Sequence, residues 1–151
     1  MAIVGPVVAY LDEEVKWIRE YARGGGKLFL ALDPGQRHNL ANLTKTLGVQ
    51  FENNFVITRR PLEGWGPAGV LGVTFDATSE ITRSFPTGAS FALFPLASEL
   101  TPAMGLGPDL EVKELVKSDP YSFTMVDPTK PLTTEPKAAA ITMGMSVKGK
   151  L

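Results

Sequence analysis

The sequence predicts an α/β fold with a β-rich second half, and three observations lead there. Residues 1–60 alternate short apolar runs with helical segments in the order β-α-β-α-β, an order that predicts parallel strands joined by right-handed crossovers. Residues 61–151 place Gly and Pro every few positions between short β-type runs, with no helical pattern of comparable length. Of the 151 residues, 44% are hydrophobic, enough for a single domain over residues 1–151 to bury a real core.

The first strand is expected at Ile3 and Val4. A helix over residues 11–23 follows, with Leu11, Val15, Ile18 and Ala22 on one face, Asp12, Glu13 and Glu14 in its first turn, and Arg19 and Arg23 toward its end. Gly24-Gly25-Gly26 then precedes the apolar run 27–32. A phosphate cradle has its glycines after a strand and at the opening of a helix, so this reversed order reads as a helix terminus closed by a residue with positive φ. A second helix over residues 39–47 puts Leu40, Leu43 and Leu47 on one face, and Gly48 ends it before an extended stretch over residues 49–59. In the second half, β-type runs occur at residues 70–75, 90–94, 112–117 and 139–147, with long loops expected over residues 101–109 and 126–137. No internal repeat is present.

Composition excludes several functions. Fifteen Lys and Arg against 16 Asp and Glu, with no basic run longer than Arg59-Arg60, leave no electrostatic footprint for a nucleic-acid partner. The absence of Cys removes disulfides, thiolate zinc sites and cysteine nucleophiles. No apolar segment approaches the length of a membrane span. Strand-like residues begin almost at once and run nearly to the last residue, so both ends read as cut sites in a longer protein.

Three constellations invite a chemical reading. Gly64-Trp65-Gly66-Pro67-Ala68-Gly69 matches the dinucleotide fingerprint in its letters, but Pro67 removes a backbone donor and the next residues read as strand rather than helix. Trp65, together with Phe85, is instead a candidate contact residue on a loop. Gly88-Ala89-Ser90-Phe91-Ala92 approaches a nucleophile elbow without its last glycine, and Pro95 prevents the helix an elbow needs. The segment 33–38 is the most suggestive, because it follows a predicted parallel strand, where open α/β sheets bind ligands. It gathers Asp33, Gln36, Arg37 and His38, a candidate site for an unidentified small ligand. The alternative reading of the same residues is a turn shaped by Asp33 and Pro34 that leads into the second helix. One His and one Asp do not complete a metal shell, so no metal is expected. No cofactor and no catalytic residue is assigned either.

The order of landmarks resembles a known family. The strand ending in VGP, the acidic helix, "YARGGGKLFLALDPG", and Leu40, Leu43, Leu47 and Gly48 are similar to the extracytoplasmic region of the gliding-motility-type (GldG-like) ABC transporter auxiliary family. Ile81-Thr82-Arg83, "FALFPLASEL", "VKELVKSDPYSF" and "AAAITMGMSVKGK" continue the resemblance in order, with Phe123 standing where the family often has Trp. The resemblance implies a flavodoxin-like or class I glutamine-amidotransferase-like parallel-sheet core with a β-rich C-terminal extension, lacking amidotransferase chemistry. It further implies an accessory domain held outside the membrane by segments absent from this stretch, with ABC permease and ATPase subunits as partners. Two alternatives stay open: an atypical or relic hydrolase using Ser90, or Asp33 with His38, and a purely structural interaction domain. An unpaired sheet edge would also lead to self-association.

Overall fold

The computed structural model describes residues 1–105 and 107–150, and it departs from the expected parallel core. The strand β1 (Ala2–Val4) and the helix α1 (Asp12–Arg23) lead to β2 (Phe29–Ala31), which pairs with β1 in parallel, Ile3 opposite Leu30. Among the described residues this is the only parallel ladder. After α2 (Ala41–Thr46), β3 (Val49–Phe51) does not return to β2 but pairs antiparallel with β7 (Leu100–Pro102). The next strand, β4 (Phe55–Thr58), pairs antiparallel with β9 (Ser122–Met125). A four-stranded antiparallel sheet, in the order β10-β8-β5-β6, is built from β5 (Val70–Phe75), β6 (Ala92–Phe94), β8 (Leu110–Ser118) and β10 (Thr142–Gly149).

The flavodoxin-like or amidotransferase-like core is therefore overturned, and the reason lies in the helices. Parallel sheets need crossover helices that cover both faces, whereas α2 has only 6 residues, about 9 Å of rise. The strands of residues 61–151 follow one another without helices and can pair only as antiparallel neighbours. Those later strands capture β3 and β4. The loop expected over residues 101–109 accordingly begins with strand residues of β7; Leu106 within it lies outside the described residues.

Local chemistry accounts for the elements nearest the candidate site. In α1, Val15 and Ile18 are buried, and Glu14 accepts the Leu11 N–H at 2.8 Å, satisfying one of the orphan donors at the helix start. The glycines close the helix as a Schellman motif: Gly26 N–H donates to the Tyr21 carbonyl and Gly25 N–H, at φ +88°, donates to that of Ala22. Ile3, Val15, Ile18, Leu40 and Leu43 form one core cluster, which joins the β1-α1-β2 unit to α2. A second cluster, Val56, Val70, Ala97 and Met143, joins β4 to the larger sheet. Residues 70–75 form β5 over the span of the expected β-type run, and Gly72 is where that strand approaches Val116 and Phe94 too closely for any side chain.

Candidate functional site

The turn after β2 carries Asp33, Gln36, Arg37 and His38 in different surroundings, with Asp33 close enough for its charge to act on His38. Gly35 adopts φ +79°, its N–H donates to Asn53 Oδ1 at 2.9 Å, and the Phe55 ring stands 3.0 Å from where a Cβ would sit. Gln36 and Arg37 project from this turn as exposed residues. The Asp33 carboxylate lies beside Gly5 at the end of β1.

His38 is the exception, only 3% exposed. Its Nδ1 accepts the backbone N–H of Leu40 at 3.0 Å, which places the ring proton on Nε2. That Nε2 has no hydrogen-bond partner among the described residues, and the ring packs edge-on against Phe51 with centroids 5.5 Å apart. Burial lowers the imidazole pKa from its ordinary value, while the charge of nearby Asp33 opposes the shift. The His38 carbonyl accepts the Tyr10 N–H, and Asn39, at φ +60°, donates through Nδ2 to the Tyr10 carbonyl and to Asp12 Oδ1. The imidazole thus caps the approach to α2, and the turn fastens β2 to the start of α1.

The loop candidates lie elsewhere. Trp65 is half-exposed on the glycine turn 64–69, where Gly64 and Gly66 both have positive φ, and β5 begins directly after it. Phe85 is also half-exposed but stacks on Phe75, centroids 5.4 Å apart. Phe123 is buried in β9 with the Arg59 guanidinium over its ring. Ser90 sits in a turn, its N–H donating to the Pro86 carbonyl.

Two concavities bear on the surface chemistry. A shallow groove of about 410 Å³ is lined by the loop from Gly5 to Tyr10 and by Glu14. A smaller one of about 170 Å³ lies between the end of α1 and β8, with Arg19, Arg23 and Lys150 facing Asp109. The first is lined in part by Val7 and Val8, 71% and 74% exposed, which sequence reasoning missed; Leu11, expected on the apolar face of the helix, is 70% exposed, and Trp17 on α1 is 59% exposed. The signal was the apolar run "PVVAY", which fits neither a strand nor the helix that follows. Among the described residues no group of His, Asp and Glu could hold a metal ion, and no helix is long and apolar enough to cross a membrane.

No family model matches the chain, and no curated protein matches it. A solved structure titled "mmIFT52 N-terminal domain" is similar in fold, with a TM-score of 0.63 at 17% identity over 81% of this chain. The chain corresponds to 53% of the length of that structure.

Proposed function

We propose that this domain is a non-catalytic binding module, an extracytoplasmic accessory domain of an ABC-type transport system that works through contact with the permease of a permease and ATPase complex. The observation that carries this reading is the exposed apolar loop after β1. Val7 and Val8 project into solvent beside the groove that the loop forms with Glu14, a pairing of apolar anchors and a polar rim suited to a protein partner. The resemblance of the landmarks supplies the transport context. The neighbour titled as an N-terminal domain of mmIFT52 supplies a precedent for this fold as one domain of a larger chain.

The test is binding of the domain to the detergent-solubilised permease and ATPase complex of its own cell, by biolayer interferometry. The wild-type domain should bind, and Val7→Asp with Val8→Asp should weaken binding at least tenfold while leaving the circular dichroism spectrum unchanged, because both side chains are already exposed. A wild-type domain that fails to bind the assembled complex ends this reading.

A further inference from the structure

The edge of β2 offers a different surface, and its sequence is complementary to itself. Among the described residues β2 pairs with β1 alone. Phe29 N–H donates to the Met1 carbonyl, and the Ala31 carbonyl accepts from Gly5 N–H. Alternation along the strand therefore turns the N–H and C=O of Leu30 away from β1, and those of Leu28 and Leu32 with them where the chain stays extended. A two-stranded parallel sheet with such an edge is an incomplete unit.

We infer that this edge pairs antiparallel with the same edge of a second copy of the chain, about a two-fold axis at Leu30. The stretch "KLFLALD" reads as its own complement in that register. Leu30 lies opposite Leu30 of the second copy, Leu28 opposite Leu32, Phe29 opposite Ala31, and Lys27 opposite Asp33. Charge complementarity selects this occupant: each Lys27 meets an Asp33, and neither residue forms a salt bridge within the chain among the described residues. Backbone parity agrees independently. The pairs at Leu28, Leu30 and Leu32 are those whose donors and acceptors point outward, so they form the hydrogen-bonded pairs of the new ladder. Lys27 and Asp33 then fall at non-hydrogen-bonded positions, where facing side chains come closest. Phe29, 62% exposed in one chain, gains a small Ala31 to lie against. The result is a continuous four-stranded sheet in the order β1-β2-β2-β1, an isologous contact. This inference goes beyond the proposed function and uses none of the Val7 and Val8 loop.

Sedimentation equilibrium of the whole chain tests it with charge exchange. Wild type should show a concentration-dependent dimer. Lys27→Asp alone and Asp33→Lys alone each face like charges across both symmetry-related pairs and should weaken dimerisation at least tenfold. An equimolar mixture of the two single variants should recover dimer as a heterodimer, and the double variant should recover it as a homodimer. Circular dichroism checks that each variant is folded, and Lys27→Asp, fully on the surface, decides the matter should Asp33→Lys disturb its turn. A wild type that stays monomeric at millimolar concentration overturns the inference, as does a Lys27→Asp variant that dimerises as wild type does.

Discussion

Replacing His38 with Ala separates a structural imidazole from a chemical one. The substitution strips the acceptor from the buried Leu40 N–H, now bonded at 3.0 Å, and an unsatisfied buried donor costs about 1–3 kcal/mol. It also empties the space beside Phe51, which packs on the ring, adding a cavity cost of about 1–2 kcal/mol. A total near 3 kcal/mol corresponds to a melting temperature lower by about 6–12 °C for a domain of this size. His38→Asn restores an acceptor at the same place, since an Asn side chain accepts from the N–H two residues on, and should recover roughly half the loss. The pH dependence has a definite sign. Because the folded-state pKa is lowered by burial, the unfolded chain binds the proton more readily, and stability falls as pH drops below the unfolded value of about 6.5 toward the folded one. His38→Asn should flatten that limb. Thermal and urea unfolding followed by circular dichroism measure all of this. A His38→Ala variant that melts within a degree of wild type would refute the capping role and return the imidazole to the list of chemical candidates.

Two further predictions concern the larger sheet. Gly72→Val places methyl groups where Phe94 Cε2 already stands 2.9 Å from an ideal Cβ; overpacking of this kind should cost about 1–3 kcal/mol, read as a lower urea midpoint, and an unchanged midpoint would mean β5 and β6 separate readily. Glu114 has its pKa lowered first by a hydrogen bond from Lys117 and then by one from Thr142, so it stabilises the fold above its unfolded pKa and that contribution is lost as pH falls through the folded value. Glu114→Gln should flatten the acid limb of stability near pH 4, and an acid limb identical to wild type would show that other carboxylates dominate it.

What was legible in the sequence was local. The spacing of Val15 and Ile18, the acidic first turn and the three glycines defined α1 and its terminus, and the short β-type run over residues 70–75 defined β5. Partner choice was not legible. The β-α-β-α-β order suggested that β3 and β4 would extend a parallel sheet, yet their partners are set by matching faces with strands that appear much later in the chain, and a single strand's pattern does not encode its neighbour. The surroundings of the polar turn were not legible either. Asp33, Gln36, Arg37 and His38 are close in sequence, but the burial of His38 depends on Phe51 and Leu40 arriving from other elements. The exposed Val7 and Val8 were visible only as a run that fitted no element.

The pairings of β3 and β4 also set the order in which the molecule can be made. Val49 lies opposite Pro102, and Phe55 lies opposite Met125, so β3 and β4 cannot complete their ladders while the ribosome is still delivering the middle of the chain. Closing such wide loops is slow because the entropy of bringing the ends together is spent before any contact repays it. The β1-α1-β2 crossover, built from neighbours in sequence, can settle early, and β3 and β4 wait as open strands until β7 and β9 emerge. Nascent chains halted before β9 should therefore be the species most in need of a chaperone.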